Sequence, residues 1–405
     1  MMVVRLKQII KGFESGVSVN GENRDLEIGE VGVLKVSAVS YGVFDPTAAK
    51  AVVEKDLDRV KCNPKKDHII VSRANTPELV GACAYVFEDH PNLYLPDKLW
   101  QAIVDEAKVD SKYLFYQLRS PRIRYQIANL ATGSSGSMKN ISKSSFLSIP
   151  IPLPPLAEQR RIAGILSAWD AAIRVQEGLL VAKRGFRAGL VQRLFSRELR
   201  LPEFSESWIN TTIDEFGTTF NGLTGKNKDD FGKGKPYVSY MNVYRNTFIK
   251  TSQSDLVKVG ETEKQNTVRY GDIIFTTSSE TPIEVGMSSV MLERGDEPYL
   301  NSFCFGLRPN KLEDIDPAFL GYLFRSPELR REISRLAQGS TRFNLGKGNF
   351  KKIEFSLPCL AEQHAIAGVL GLVDAEILGL AGELGLLRRE KLGVMGKLLS
   401  GENHS

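Results

Sequence analysis

The sequence predicts an α+β protein made of two tandem mixed units, each closing on a long helix, and three observations carry that expectation. Leu156-Ala157-Glu158-Gln159 returns as Leu360-Ala361-Glu362-Gln363, a shift of 204. Arg119-Ser120-Pro121 and Gly133-Ser134 return at 206, and Lys66 to Gly81 is matched at 205 around Asp272, Thr281-Pro282 and Val285-Gly286. Collinear blocks at nearly one offset across 405 residues mean one unit of about 200 residues used twice, far longer than a solenoid repeat. Each unit opens on short apolar runs bounded by turn residues. Each closes on a stretch with apolar residues in alternating steps of four and three.

In the first front, strands are expected over Val31 to Val39, His68 to Ser72 and Ala82 to Phe87, then a helical stretch from Leu114 to Ala131. The prolines of Ile149 to Pro155 close the front, because proline breaks a strand yet suits the first turn of a helix. The second front repeats the plan with Tyr237 to Val243, Asp272 to Thr276 and Met287 to Leu292, a helical stretch from Leu320 to Ala337, and Ser356 to Cys359 as its end. The expected boundaries are 1–155 and 201–357 for the fronts, 156–200 and 358–405 for the helices.

From Glu362 to Leu399 the seam reads Ile366, Leu370, Val373, Ile377, Leu380, Leu384, Leu387, Val394 and Leu398, broken only by Lys391. The first helix has the equivalent seam, interrupted at Gln176, Lys183 and Arg187. Heptad spacing of this kind asks for a partner helix; about 38 residues would reach about 57 Å. Seven glycines of the second helix, each costing about 1 kcal/mol against alanine, fall on one arc opposite its seam, and several first-half counterparts are also small. Two readings stand: glycine tolerated on a solvated face, or a second contact face where a partner protein's helices approach, centred on Gly164, Gly178, Gly189, Gly371, Gly382 and Gly393.

The composition, 42% hydrophobic and 25% charged, excludes a disordered or collagen-like chain. No run of about 18 uninterrupted apolar residues and no signal-peptide pattern is present, so a soluble cytoplasmic protein without a membrane partner is expected. The four cysteines are far apart and indicate neither zinc nor a disulfide framework. Phosphate-loop, dinucleotide, HExxH, GxSxG and adenine-methyltransferase signatures are missing, and the four histidines do not cluster. One pattern, Pro96-Asp97 with Glu106-Ala107-Lys108, spells a minimal magnesium-nuclease motif, but the second half does not repeat it. A nuclease is the alternative from another class, and a stand-alone bipartite DNA-binding regulator a third.

Two similar modules suit the reading of two patches on an extended polymer, and DNA is the obvious one. Its base edges are met by Arg, Asn, Gln, Ser and Thr on loops, its phosphates by cations. The repeat-matched loops carry such residues: Arg73, Asn75 and Thr76 against Ser278, Ser279 and Thr281, and Ser134, Ser135, Lys139 and Asn140 against Arg342, Asn344 and Lys347. Basic clusters recur with Arg122 and Arg124 in one half and Arg330 and Arg331 in the other. The halves diverge most at these loops, as two different half-sites on a common frame would.

The order front, LPPLAEQRRIAGILSAWD, front, LPCLAEQHAIAGVLGLVD resembles the specificity subunits of type I restriction–modification enzymes, over essentially the whole chain. The paired P-x-LAEQ-x-x-IAG-(I/V)-L segments are the most specific part, and Tyr94 to Trp100 also looks typical. The resemblance implies two target recognition domains, each reading half of a bipartite DNA sequence, with the helices paired as an antiparallel coiled coil that acts as a ruler. It implies no catalysis and no cofactor in this chain. S-adenosylmethionine, ATP and magnesium would belong to partner subunits: two methyltransferase subunits and motor-nuclease subunits.

The charge divides informatively. Residues 1–155 carry 20 cations and 17 anions, 156–200 carry 9 and 4, 201–357 carry 20 and 21, and 358–405 carry 4 and 6. The overall +5 is therefore no DNA footprint. It predicts a basic first helix set against an acidic second one.

Overall fold

The apolar runs of both fronts fold into strands on one plan. The computed structural model describes residues 2–133 and 138–400, and the chain divides into two compact units, 1–177 with 382–405, and 178–381. In the first unit an antiparallel sheet runs, in spatial order, Cys83–Tyr85, Ile69–Ser72, Leu99–Val104 and Ile10–Ser15. Trp100 lies opposite Val71, and Ala102 opposite Ile69 and Phe13. Because successive side chains point to opposite faces, Ile69, Val71, Trp100 and Ala102 enter one core with Leu114 and Phe146, while Ile70, Ala84 and Leu99 enter another with Leu34 and Leu93. Both faces are covered, so these strands read as short continuous apolar runs. The second unit repeats the order with Ser288–Val290, Ile273–Thr276, Cys304–Pro309 and Gly217–Asn221.

Several expected elements are corrected. The run from Val31 to Val39 holds only the strand Gly32–Leu34 before a 3-10 turn at Val36–Ala38. Tyr237 to Val243 is not one strand: Phe231–Val238 ends it, and Tyr240–Arg245 is a helix whose Tyr240 and Tyr244 rings stack at 6.1 Å, one turn apart. The proline-rich segment does not simply end the first front. Pro150–Leu153 is a strand paired antiparallel with Met2–Arg5, a two-stranded ribbon whose free edge tolerates the missing donors. Each helical stretch is two helices, Ser111–Arg119 with Pro121–Leu130 and Pro317–Leu323 with Pro327–Arg335. Ser120 and Ser326, both extended before a proline, start the second helix of each pair by accepting from the Ile123 and Leu329 N–H groups.

The long helices are Leu156–Phe195 and Leu360–Ser400. Each starts from a buried glutamine of the repeated LAEQ. The Gln159 amide donates to the Lys108 and Pro154 carbonyls (3.0 and 2.8 Å) and its oxygen accepts from the Asp110 N–H (2.9 Å). Gln363 does the same with Asp314, Pro358 and Asp316. The motif therefore ties the helix start to the loop ahead of the preceding helix pair, and Asp110 and Asp316 cap those helices in turn.

Within the first unit the helix halves run antiparallel: Asp170 meets Lys391, and Glu177 meets Arg388 at 2.6 Å. Within the second, Arg187 meets Asp374 and Lys183 meets Glu376 at 2.6 Å. Ile366, Leu370, Val373 and Leu384 of the expected seam are buried, and Lys391, which breaks that seam, is itself only 6% exposed. The expected complementarity of a basic first and acidic second helix holds in the second unit. In the first unit it is reversed, with the cations on the second helix. Over an 18-residue window the second helix is long and apolar enough to cross a membrane by length and composition, a property it shares with core helices.

Candidate nucleic-acid interface

The two loops singled out in each front pair with each other. In the first unit Ala74–Asn75 and Lys139–Asn140 form an antiparallel ribbon, with Lys139 opposite Asn75. In the second, Ser278–Ser279 pairs with Phe343–Leu345, placing Ser278 opposite Asn344. Both ribbons continue the central sheet: the Ile141 N–H donates to the Arg73 carbonyl, and the Leu345 N–H to that of Thr277. Residues some 65 positions apart in sequence are thus gathered at one end of each sheet, a placement suited to loops carried on a rigid frame.

The side chains there divide into those committed to protein partners and those exposed. Asn75 donates to the Ser72 hydroxyl (3.2 Å) and accepts from the Thr76 N–H (2.8 Å). Arg73 donates through Nε to the Asp97 carbonyl (3.1 Å) and lies 3.7 Å from that carboxylate, half-exposed. Lys139 reaches the Gly133 carbonyl at 3.1 Å. In the second unit Thr281 and Ser279 donate to Glu284 (2.7 and 3.2 Å), which also accepts from the Tyr244 hydroxyl; these donors hold the carboxyl below its usual range, the tyrosine most of all. Lys347 donates to the Asn221 carboxamide, and burial lowers its ammonium pKa. Arg342 and Asn344 are exposed, as are Thr76 and Asn140. Ser134 and Ser135 lie outside the described residues.

The arginine clusters separate by role. Arg124 donates to the Val80 and Glu78 carbonyls (3.0 and 2.9 Å), and Arg330 to those of Gly286, Ile283 and Val285 (2.6, 2.7 and 2.7 Å). Burial draws the Arg330 guanidinium down to about 10, which leaves it charged at neutral pH. These two brace the repeated TPELVG and TPIEVG loops from below. Each loop ends on a glycine at positive φ, Gly81 at 66° and Gly286 at 63°, pressed on Ile127 and Ile333, where a Cβ would sit 2.2 and 2.6 Å from the isoleucine methyl. Arg122 and Arg331 are exposed on the outer faces of the same helices.

Sequence reasoning missed Phe303. Its carbonyl accepts from the Thr277 N–H, as the Lys98 carbonyl accepts from Arg73, so the two residues hold one topological place in the two fronts. Phe303 is 58% exposed and lines a cavity of about 400 Å³ with Tyr240, Ser278, Ser279 and Arg342. A large exposed aromatic beside polar loop residues cannot be told from a core residue by its neighbours in sequence.

The nuclease pattern finds no support in the geometry. Lys108 pairs with Asp105 at 3.0 Å, Asp97 serves Arg73, and Glu106 is exposed. Among the described residues no three His, Cys, Asp or Glu side chains stand together as a metal cage. The six glycines proposed as a subunit-contact face have open space where a Cβ would project, apart from Gly371, which has the Tyr322 hydroxyl 4.0 Å away.

The family described as the type I restriction modification DNA specificity domain matches residues 1–182 and 205–381. The type I restriction enzyme MjaVIII specificity subunit of Methanocaldococcus jannaschii is 28% identical over 288 residues, 66% of this chain but only 64% of the relative. The putative MjaX specificity subunit of that organism is 26% identical over 400 residues, 92% of this chain and 86% of its own. The fold is that of solved proteins. The S subunit of a type I restriction–modification system from M. genitalium superposes with TM-score 0.56 at 16% identity, covering 100% and 96% of the two chains. A chain from a study of type I complex assembly and conformational transition reaches 0.61 at 18%, covering 98% and 97%. Doubled fronts, ribbons that gather polar loops, and paired helices opened by LAEQ thus converge on one conclusion: this chain belongs to the family of type I restriction–modification DNA specificity subunits, with the specificity domain present twice.

Proposed function

We propose that the chain reads a bipartite DNA sequence for a type I restriction–modification complex, one half-site per front, and carries out no chemistry itself. The observation that carries this is the repeated ribbon. A shared frame presents Arg73, Asn75, Thr76, Lys139 and Asn140 in one front, with Ser134 and Ser135 a few positions before Lys139 in sequence, and Ser278, Ser279, Thr281, Arg342, Asn344 and Lys347 in the other. Arg and Asn on such loops read guanine and adenine edges, and Ser and Thr either purine or pyrimidine. In this reading the exposed Arg122 and Arg331 meet phosphate. Arg124 and Arg330 act through the loops they brace.

In this reading the paired helices form the antiparallel coiled-coil ruler that sets the spacer between half-sites. The glycine face at Gly164, Gly178, Gly189, Gly371, Gly382 and Gly393 receives helices of two methyltransferase subunits, and motor-nuclease subunits join that assembly. S-adenosylmethionine, ATP and magnesium then act in those partners, in the cytoplasm. Methylome sequencing of cells with and without this chain and its methyltransferase tests the reading: a split adenine motif should disappear on deletion, and exchange of residues 72–76 and 133–140 for those of a relative should change one half-site only. An unchanged methylome after deletion from a methylating strain would sink it.

A further inference from the structure

An apolar helix seam repeats itself: sliding one helix by seven residues sets leucine against leucine again, about 10.5 Å further on. Alignment therefore has to be chosen by something other than leucine. In the first unit the Lys391 ammonium lies on the Asp170 carboxylate, which also accepts from the Tyr116 hydroxyl at 2.7 Å and faces Arg119 at 3.8 Å. In the second unit Arg187 donates to Asp374 through Nε and Nη2, the latter at 3.1 Å, and Asp374 accepts from the Tyr322 hydroxyl at 2.9 Å. Tyr116 and Tyr322, Asp170 and Asp374, and Arg187 and Lys391 are repeat counterparts. Two of the three cations that break the apolar seams, Arg187 and Lys391, make these sets, while the third, Lys183, pairs with Glu376 at 2.6 Å.

We propose that the two carboxylate–cation pairs are register keys, selecting one heptad alignment of the antiparallel helices, and that they are thereby specificity-determining for spacer length. Counting along the sequence shows that the Arg187 pair rejects both slips and the Lys391 pair reinforces the rejection of one. A slip one way sets Lys391 opposite Ala163 and Arg187 opposite Ala367, both buried alanines. A slip the other way offers Lys391 the carboxylate of Glu177 but leaves Arg187 opposite Ala381. Only the observed alignment gives both cations a carboxylate, and a seam cation without one is strongly disfavoured. A single buried polar group at a helix seam is known to set register in this way. The tyrosines add a second function, fixing each front to the carboxylate that carries its key.

The test replaces Asp170, Lys391, Arg187 and Asp374 together by leucine, which removes both charges of each key and leaves only Arg119 without its 3.8 Å carboxylate neighbour. Nitroxides at Val175→Cys and Leu386→Cys, exposed positions of the first unit that the same counting sets opposite each other, report alignment in a chain whose four native cysteines are alanine. The parent should give one narrow distance distribution, and the leucine variant a second population displaced by up to about 10 Å. A single undisplaced distribution in the folded leucine variant would overturn the proposal. If that variant fails to fold, the set Asp170→Asn, Lys391→Met, Asp374→Asn and Arg187→Met, which also removes both keys, gives the same two outcomes. The spacer claim rests on the bipartite reading above, so it has its own measurement: methylated motifs should appear at a second spacer length in cells carrying the leucine variant. Split distances with one unchanged spacer would overturn the ruler and leave the keys.

Discussion

Removing the Gln159 carboxamide tests whether the LAEQ motif is a structural tie. In Gln159→Ala the Asp110 N–H and the Lys108 and Pro154 carbonyls lose their partner at a site where Gln159 is 1% exposed. Leaving a buried polar group unsatisfied costs about 1–3 kcal/mol, so three such groups, at the low end of that range, predict a loss of about 3 kcal/mol. For a unit of about 200 residues that is a fall of roughly 6–12 °C in the unfolding temperature. Gln159→Glu sharpens the test. At neutral pH its carboxylate faces two carbonyl oxygens, so it should be worse than alanine. That glutamate's folded-state pKa is raised above its unfolded value, so the variant regains stability as the pH falls through it and a donor is restored. Urea unfolding followed by circular dichroism from pH 4 to 8 reads both effects. A Gln159→Ala loss under about 0.5 kcal/mol, or a Glu variant whose deficit ignores pH, would refute the tie.

Gly81→Ala should cost at least about 2 kcal/mol, since it adds a left-handed penalty to a Cβ 2.2 Å from Ile127; Gly29→Ala, also at positive φ but with open space, should cost less. Denaturant midpoints separate the two. Glu284→Gln should flatten the acid limb of stability. Glu284 is held below its usual 4.5, so its contribution is present above that pH and is lost as the pH falls through the lowered value, which unfolding from pH 3 to 7 would show. Arg342→Ala should reduce by about one the slope of log binding constant against log salt, while Arg330→Ala should lower stability instead, because its donors serve carbonyls.

Repetition made much of the fold legible. An apolar position that matters in both units leaves its mark twice, so the strands Ile69–Ser72 and Ile273–Thr276, the long helices and the Gly81 and Gly286 turns were visible as matched blocks, whereas Leu99–Val104 and Cys304–Pro309, interior to the same sheets, were not. What stayed hidden depends on partners distant in sequence. The strand at Pro150–Leu153 forms because Met2–Arg5 lies beside it, a pairing that local propensity cannot see. Tyr240–Arg245 reads as β-like from its aromatic and branched residues, yet the tyrosine pair at helical spacing prevails. At the candidate interface the residue types were readable, but not their commitments: Arg124 and Arg122 look alike in sequence, and only the fold shows the first spent on two carbonyls. Lys391 and Arg187 looked like flaws in a seam because their carboxylates sit on the other helix.

The division of the helices between units makes a last prediction about half of the chain. Residues 156–177 are buried against 382–400, so a fragment ending near residue 200 exposes Ile162, Leu166 and Ile173, each no more than 9% exposed in the intact chain. The segment it lacks has a repeat counterpart that it retains, 178–196, which puts Leu180 where Leu384 stands, Leu194 for Leu398 and Phe195 for Leu399. Two copies of the fragment can therefore exchange these segments, each covering the other's exposed seam. Asp170 then meets Arg187 of the second copy, as Asp374 meets Arg187 in the intact chain, so the polar pair survives with the apolar one. A fragment of residues 1–200 should be a dimer at micromolar concentration by light scattering after gel filtration. Arg187→Glu should weaken that dimer by setting carboxylate against carboxylate. A well-folded, soluble monomer would show that the segment from 382 onward is not replaceable by its repeat, and that the two helix halves are less equivalent than their sequences.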